Sequence, residues 1–132
     1  MNGMAGYTGT PLAKKLGIKA ESRVLLDGAP AGFVLPGVDF DGKPTGMPYE
    51  VILCFCPDLA RLIDRWPELH ALTTPAGALW IAWPKRSSGV RTDVTENLVR
   101  DFALANGRVD VKVCAIDETW SGLKHVIRLA DR

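Results

Sequence analysis

Short apolar runs alternate with amphipathic stretches along this chain, and the alternation predicts strands separated by helices. Apolar runs occupy the centres of Arg23–Asp27, Glu50–Phe55 and Gly77–Trp83. A run of this length, bounded by glycine or proline, is typical of a strand that is buried on both faces, as the strands of parallel sheets are. The pattern therefore predicts three buried parallel strands.

An amphipathic helix is predicted between the second and third strands. It begins at Pro57, and apolar residues recur at three-and-four spacing as far as Trp66, while Arg61 and Arg65 take the other face. Pro67 lacks a backbone N–H, so we expect it to end or kink the helix, with a further helical turn after it. The helix therefore packs on the sheet through one apolar stripe.

The C-terminal third predicts another helix and an antiparallel pair of strands. Asp93 has the capping-box spacing from Glu96, and Asn106-Gly107 closes the helix that they begin. Apolar and polar residues then alternate along Val109–Ala115 and again along Leu123–Leu129, on either side of a polar interruption. Alternation of this kind indicates strands with one solvent-facing side, and we expect one of the two to be an edge strand.

The N-terminal region predicts less regular structure. Thr10 as N-cap, Pro11 at the first helical position and Gly17 just past the end indicate one short helix. Glycine and proline are dense between Gly28 and Met47, which excludes a long helix there and leaves room for a short edge strand at Val38–Phe40.

Together these elements predict a single α/β domain spanning residues 1–132. We expect one open, mostly parallel sheet that ends in an antiparallel hairpin, with helices on both faces. We expect residues 1–20 to form an N-terminal helical arm that packs on this domain.

Composition narrows the class of protein further. Sixteen basic and fifteen acidic residues give a net charge of +1, so the chain has no overall field to attract nucleic acid or an anionic membrane. No apolar stretch is long enough to span a bilayer, and the N-terminus lacks the pattern of a signal peptide, so we expect a cytoplasmic protein. Cys54, Cys56 and Cys114 lie in apolar runs and are expected to be buried thiols.

A basic loop follows the third strand and gives the first candidate site. Lys85, Ser87, Ser88 and Thr92 come just before a helix N-terminus, where backbone donors and the helix dipole favour anions. The alternative is a flexible basic loop whose helix is already capped by Asp93 and its capping-box glutamate.

A second candidate lies in the turn between the last two strands. Asp117 and Glu118 carry carboxylates beside Trp120 and Ser121, a combination that suits acid–base chemistry and stacking of a ligand ring. Alternatively, Asp117 forms an Asx turn and Trp120 covers the end of the sheet. If the strand before this turn is parallel to the first three, all the candidate loops lie on one rim at the carboxyl ends of the strands.

The turn after the first strand resembles the nucleotide-binding turn of Rossmann-like methyltransferases. Gly28 and Gly32 match glycines of that turn, whereas Pro30 stands where the family has its central glycine and Leu26 where it has an acidic residue. The C-terminal hairpin also resembles the end of that fold. The resemblance implies a shortened methyltransferase-like fold and adds Gly28 and Gly32 to the candidate ligand-binding residues.

Four segments together resemble the bacterial domain-of-unknown-function 3052 family. They are Tyr7–Ile18, Ala82–Lys85, Thr92–Asn97 and Asp117–Gly122, and the likeness spans nearly the whole chain. The resemblance implies a small cytoplasmic bacterial protein with no assigned activity, cofactor or substrate. It supplies no catalytic residues.

The favoured hypothesis is therefore a non-catalytic or regulatory domain that binds a small anionic ligand or a protein partner at its basic rim. The alternative is a small enzyme, methyltransferase-like or otherwise using a nucleotide or anion. The sequence indicates no catalytic or metal-binding residues, leaves cofactor and oligomeric state open, and predicts no nucleic-acid or membrane partner. A structural subunit that associates through an exposed edge strand is a third hypothesis.

Overall fold

The computed structural model describes residues 11–132, which form an open five-stranded sheet with helices packed against it. The strand order is β1-β2-β3-β5-β4, and the strands are β1 (Val24–Asp27), β2 (Tyr49–Phe55), β3 (Thr73–Pro84), β4 (Val109–Ala115) and β5 (Trp120–Val126). β1, β2 and β3 pair in parallel, whereas β5 is antiparallel to both β3 and β4. The sheet is therefore mixed, and the expectation of a mostly parallel sheet was wrong, because the returning strand of the hairpin lies between β3 and β4.

In the described part of the chain three α-helices accompany the strands: α1 (Leu12–Lys15), α2 (Leu59–Leu72) and α3 (Glu96–Ala105). Gly17 follows α1 with a φ of 81°, as predicted for a residue just past a helix end. Pro11 lies one position before α1 rather than at its first helical position. The predicted N-cap at Thr10 lies outside the described residues.

The two faces of the sheet are covered differently. On the face we call the helix face, α2 and α3 pack on alternate strand residues such as Ile52, Leu79 and Leu123. On the opposite face, which we call the loop face, α1 and the irregular chain at 33–38 cover the intervening residues, Trp80 among them. Helices thus lie on both faces, but the one on the loop face is a single turn.

Pro67 does not end α2, although ending the helix was one of the two outcomes expected from sequence. The helix continues from Leu59 to Leu72 with Pro67 inside it. Pro67 is on the exposed side, so the Ile63 carbonyl that loses its helical hydrogen bond lies on the side of the helix where water can replace the bond. Burial of Trp66 and Leu69 on either side of Pro67 keeps both halves of α2 on the sheet.

The predicted edge strand at Val38–Phe40 does not form. Instead Asp41 alone bridges to β1, where its carbonyl accepts from the Leu26 N–H at 2.9 Å and its N–H donates to the Val24 carbonyl at 2.9 Å. Gly37, at a φ of 77°, turns the chain just before this point. The outer edge of β1 is thus covered at one residue.

Within residues 11–132, no helix has the length and apolar character that crossing a membrane requires. Cys54 and Cys56 are fully buried, as predicted, whereas Cys114 on the edge strand β4 is only half-buried.

His125 makes the stability of the fold depend on pH. Its ring is fully buried beside Trp66, and Nδ1 donates to the Leu79 carbonyl at 3.1 Å. Burial lowers the pKa of His125 from 6.5 to about 4, so between these values the unfolded chain binds a proton that the folded chain does not. We therefore expect stability to be unaffected by this group above pH 6.5 and to fall between pH 6.5 and 4, by at most about 1.4 kcal/mol per pH unit.

Urea unfolding across this pH range measures the effect, with His125→Gln as the comparison because an amide also donates to the Leu79 carbonyl. The variant should show a flatter profile whatever its absolute stability. A small slope should persist, because burial first and the charge of Arg108 second also lower the pKa of His70. An unchanged slope in His125→Gln would exclude His125 as the source.

Candidate functional site

The predicted rim forms at the carboxyl ends of β1, β2, β3 and β4. β4 runs in the same direction as the first three strands, because both β3 and β4 are antiparallel to β5. The turn after Ile116 therefore lies at the same end of the sheet as the loop after β3. The sequence analysis predicted this arrangement if β4 ran parallel to the first three strands. The Lys85 N–H donates to the Thr119 carbonyl at 2.8 Å and joins the two loops.

The chain at 85–92, which we call the basic loop, is held by its own hydroxyl groups. The Ser88 hydroxyl donates to the Lys85 carbonyl at 2.7 Å and accepts from the Val90 N–H at 3.1 Å. The Thr92 hydroxyl donates to the Pro57 carbonyl at 2.7 Å and accepts from an N–H two residues on at 3.1 Å. Ser88 and Thr92 thus shape the loop, whereas Ser87 is exposed on a short 3₁₀ turn.

Asp93 does not cap the helix that follows it, contrary to the predicted capping box. Its carboxylate accepts from the Leu59 N–H at 2.8 Å, in the first turn of α2. Thr95 is the N-cap of α3 and accepts from the Leu98 N–H at 3.2 Å. Asp93 as the cap is therefore wrong, although α3 is capped by Thr95, and Thr92 and Asp93 together attach the loop to the start of α2.

A groove of about 440 Å³, which we call the rim groove, opens between the basic loop and the start of α3. Trp83 and Val94 give it apolar walls, and Arg86, Arg91 and Thr95 line it with polar groups. Among the described residues, neither of these arginines pairs with a carboxylate. The rim groove therefore presents two unpaired positive charges beside an apolar wall.

The turn between β4 and β5 confirms the structural alternative given for Asp117. Its carboxylate accepts from the N–H groups of Thr119 and Trp120, both at 2.8 Å, which is an Asx turn. The turn is shorter than predicted, because Trp120 and Ser121 already belong to β5. Glu118 is exposed.

Trp120 covers the end of the sheet on the loop face. Its ring meets the Phe55 ring edge-on at 5.1 Å, and Phe55 meets Phe33 in the same way at 5.0 Å. Three aromatic rings therefore pack side by side along this rim. Ser121 points to the other face, because it is paired with Trp83 of the helix face.

The turn at Gly28–Gly32 has glycines in the left-handed backbone conformation, but the Arg61 side chain occupies the space beside Gly28. Gly28 and Gly32 have φ values of 73° and 83°, which favour glycine. A Cβ on Gly28 would overlap the Arg61 guanidinium of α2, whereas nothing lies within 4 Å of the corresponding position on Gly32. Because β2 lies between β1 and β3, the structure does not bring this turn into the rim groove.

A buried ion cluster at the end of β1 was missed by the sequence analysis. The Asp27 carboxylate accepts from Arg61 Nη2 at 2.8 Å and from Arg65 Nε and Nη2, each at 3.1 Å. Asp27 is 5% exposed. An acidic residue that ends an apolar run is a weak signal of such a cluster, since nothing local reveals its partners.

Two thiols lie beneath this carboxylate. Cys54 Sγ is 3.4 Å from Asp27 Oδ2 and 3.6 Å from Cys56 Sγ. The hydrogen bond with Cys56 and burial raise the pKa of Cys54 well above its usual value, so the thiol stays protonated. Among residues 11–132, no three histidine, cysteine or acidic side chains are grouped in a way that would hold a metal ion.

Comparison with protein-family models and with curated proteins found no match to this sequence.

Proposed function

We propose that this protein is a non-catalytic or regulatory domain that binds a ligand or partner through an anionic group in the rim groove. The observation that carries the proposal is the position of Arg86 and Arg91, which line a groove of about 440 Å³ without a carboxylate partner among the described residues. A guanidinium group presents a planar fork of donors that suits phosphate and carboxylate.

The start of α3 supports the same class of ligand. Thr95 lines the rim groove and, within residues 11–132, accepts one hydrogen bond, from the Leu98 N–H, while Asp93 is engaged with α2. The first N–H groups of a helix lack intrahelical partners and, with the helix dipole, favour negative charge. The volume is in the range of sites for small organic ligands, which run from about 300 to 1,000 Å³.

We also propose a fold relationship and a family relationship for this protein. Strand β5, antiparallel between β3 and β4, supports a Rossmann-like fold related to a shortened methyltransferase. The likeness of four segments to the domain-of-unknown-function 3052 family supports a bacterial, cytoplasmic protein. Neither likeness assigns a reaction to the rim groove.

The enzyme alternative has less support at its cofactor turn. A methyltransferase-like enzyme would need the backbone at Gly28 to approach its cofactor closely. Arg61 packs against Gly28 there and is held by Asp27 and by the Phe55 carbonyl at 2.9 Å. We therefore place the ligand beside β3 and α3 and not beside β1.

Calorimetric titration with pyrophosphate and nucleoside monophosphates tests the proposal. We expect at least one of these anions to bind, and the double variant Arg86→Ala/Arg91→Ala to bind it at least about 100-fold more weakly, since each lost charge-assisted hydrogen bond contributes about 1.5–3 kcal/mol.

The matched control is Lys19→Ala/Lys43→Ala, which removes the same charge outside the rim groove and should leave the affinity unchanged. Equal losses in both double variants would indicate non-specific attraction. Absence of binding by every anion, including phosphorylated peptides, would contradict the proposal.

A further inference from the structure

Trp83, the next-to-last residue of β3, is a buried tryptophan whose indole N–H makes no hydrogen bond within residues 11–132. The residue is 6% exposed and packs in the core of the helix face. The Trp80 N–H, by contrast, donates to the Leu16 carbonyl at 3.2 Å. The Trp66 N–H donates to the Asn106 carbonyl at 3.4 Å. Because a buried tryptophan N–H usually has an acceptor, Trp83 stands out as a donor without one.

The Trp83 N–H is not sealed inside the core. Within residues 11–132, the fully buried side-chain nitrogen and oxygen atoms that lack a hydrogen-bond partner are Arg108 Nη1 and His125 Nε2. Trp83 Nε1 also lacks a partner but is not one of these atoms, so it keeps some accessible surface. Since Trp83 lines the rim groove and is otherwise buried, this donor faces the rim groove.

The side chains that line the rim groove offer hydrogen-bond donors and lack free acceptors. Arg86 and Arg91 can only donate, and the same holds for the Trp83 N–H. The hydroxyl oxygens of Thr92 and Thr95 each already accept a backbone N–H. None of the described residues that line the groove is an aspartate, glutamate, asparagine, glutamine or histidine. The groove therefore suits a ligand that accepts hydrogen bonds without donating them.

The same groove has an apolar part. Pro84, Val90 and Val94 line it together with the Trp83 ring, and Val90 is 49% exposed. An apolar group of a ligand would remove this surface from water, which favours binding. The volume of about 440 Å³ has room for a ring and one phosphate group.

We propose that the ligand of the rim groove is a small organic phosphate monoester with a compact apolar body, and that the Trp83 N–H donates to one of its phosphate oxygens. This inference rests on the proposed function and gives its ligand class. Three separate donor groups, on Arg86, Arg91 and Trp83, match the three terminal oxygens of a phosphate monoester better than the two oxygens of a carboxylate. A nucleotide fits less well, because the amino and N–H donors of its base find no free side-chain acceptor in the groove.

Calorimetric titration at constant ionic strength with phenyl phosphate, inorganic phosphate, benzoate and adenosine monophosphate tests the ligand class. We expect phenyl phosphate to bind about tenfold more tightly than inorganic phosphate, which lacks the apolar body. It should also bind more tightly than benzoate and adenosine monophosphate. In the unsubstituted protein, the indole N–H NMR signal of Trp83 should shift on saturation with phenyl phosphate and exchange more slowly with water.

Trp83→Phe keeps an aromatic ring but removes the N–H, so it should weaken phenyl phosphate binding about tenfold. Trp66→Phe is the matched control: it makes the same change in the core of the helix face but outside the rim groove, and should leave the affinity unchanged. Equal losses in the two variants would contradict the proposed contact.

Two results separate this inference from the proposed function. An indole signal of Trp83 that phenyl phosphate leaves unshifted would overturn the contact, even where Arg86→Ala/Arg91→Ala abolishes anion binding and the proposed function stands. Benzoate or adenosine monophosphate binding as tightly as phenyl phosphate would overturn the ligand class in the same way. If pyrophosphate binds and phenyl phosphate does not, the ligand class is wrong and the anion site remains.

Discussion

Asp27→Asn is expected to lower the free energy of unfolding by about 3 kcal/mol, because it removes the carboxylate that pairs with both Arg61 and Arg65 at the end of β1. The asparagine keeps the shape of the side chain but leaves Arg61 without a carboxylate partner among the described residues, while Arg65 keeps only its pair with the more exposed Glu68. The Asp27 side chain is 7% exposed and that of Arg65 18%, so water compensates only in part. Urea unfolding of the two proteins measures the difference.

Asp64→Asn is the matched control for this substitution. It makes the same chemical change on the exposed side of α2, where we expect an effect within about 0.5 kcal/mol. If the two substitutions have equal effects, the buried cluster does not stabilise the fold. A further check is amide exchange in the first turns of α2, which should speed up in Asp27→Asn because the cluster joins that helix to β1.

Trp80→Ala should destabilise the protein by about 4 kcal/mol, the usual cost of deleting a large buried aromatic side chain. Trp80 is the largest of the fully buried side chains in the described residues, and it lies at the centre of the loop face. It packs over Gly122 of β5, where a Cβ would come 3.3 Å from the indole Cε3. Thermal and urea unfolding give the magnitude.

Trp80→Phe separates packing from hydrogen bonding at this position. The indole Nε1 donates to the Leu16 carbonyl at 3.2 Å, so the phenyl ring retains much of the apolar contact but leaves this carbonyl without its donor. We expect the free energy of unfolding to fall by about 1.5 kcal/mol and amide exchange in α1 to become faster. Unchanged exchange in α1 would show that the hydrogen bond does not hold the helix to the sheet.

Local patterns predicted the elements of this fold better than their arrangement. The apolar runs at Val24–Asp27 and Tyr49–Phe55 were recognisable as strands because a strand that is buried on both faces of the sheet has apolar residues at nearly every position. The order of the strands in the sheet has no comparable local pattern in the sequence. Alternation along β4 and β5 identified a hairpin, but it could not reveal that β5 pairs with β3 through residues such as Leu123 and Ile81.

The candidate site was predicted in part for the same reason. The order of Lys85, Ser88 and Thr92 in the chain places them in the loop between β3 and α3, but it did not reveal that Ser88 and Thr92 bond to backbone carbonyls. The partners of Asp93 and Asp27 were missed, since each reaches a residue of α2 that is 34 positions away, Leu59 and Arg61 respectively. Capping-box spacing fits Asp93 well, and only the tertiary structure shows that its carboxylate serves the other helix.

The position of β5 also constrains how the chain can fold as it is synthesised. β5 is the last of the five described strands to be made, yet it lies between β3 and β4 and pairs with both. Until Trp120–Val126 has left the ribosome, β4 has no partner and one edge of β3 is open. Strand edges that stay unpaired during synthesis are prone to pair with the wrong strand. The nascent protein therefore completes its sheet late, when its C-terminal hairpin emerges, and not strand by strand from its N-terminus.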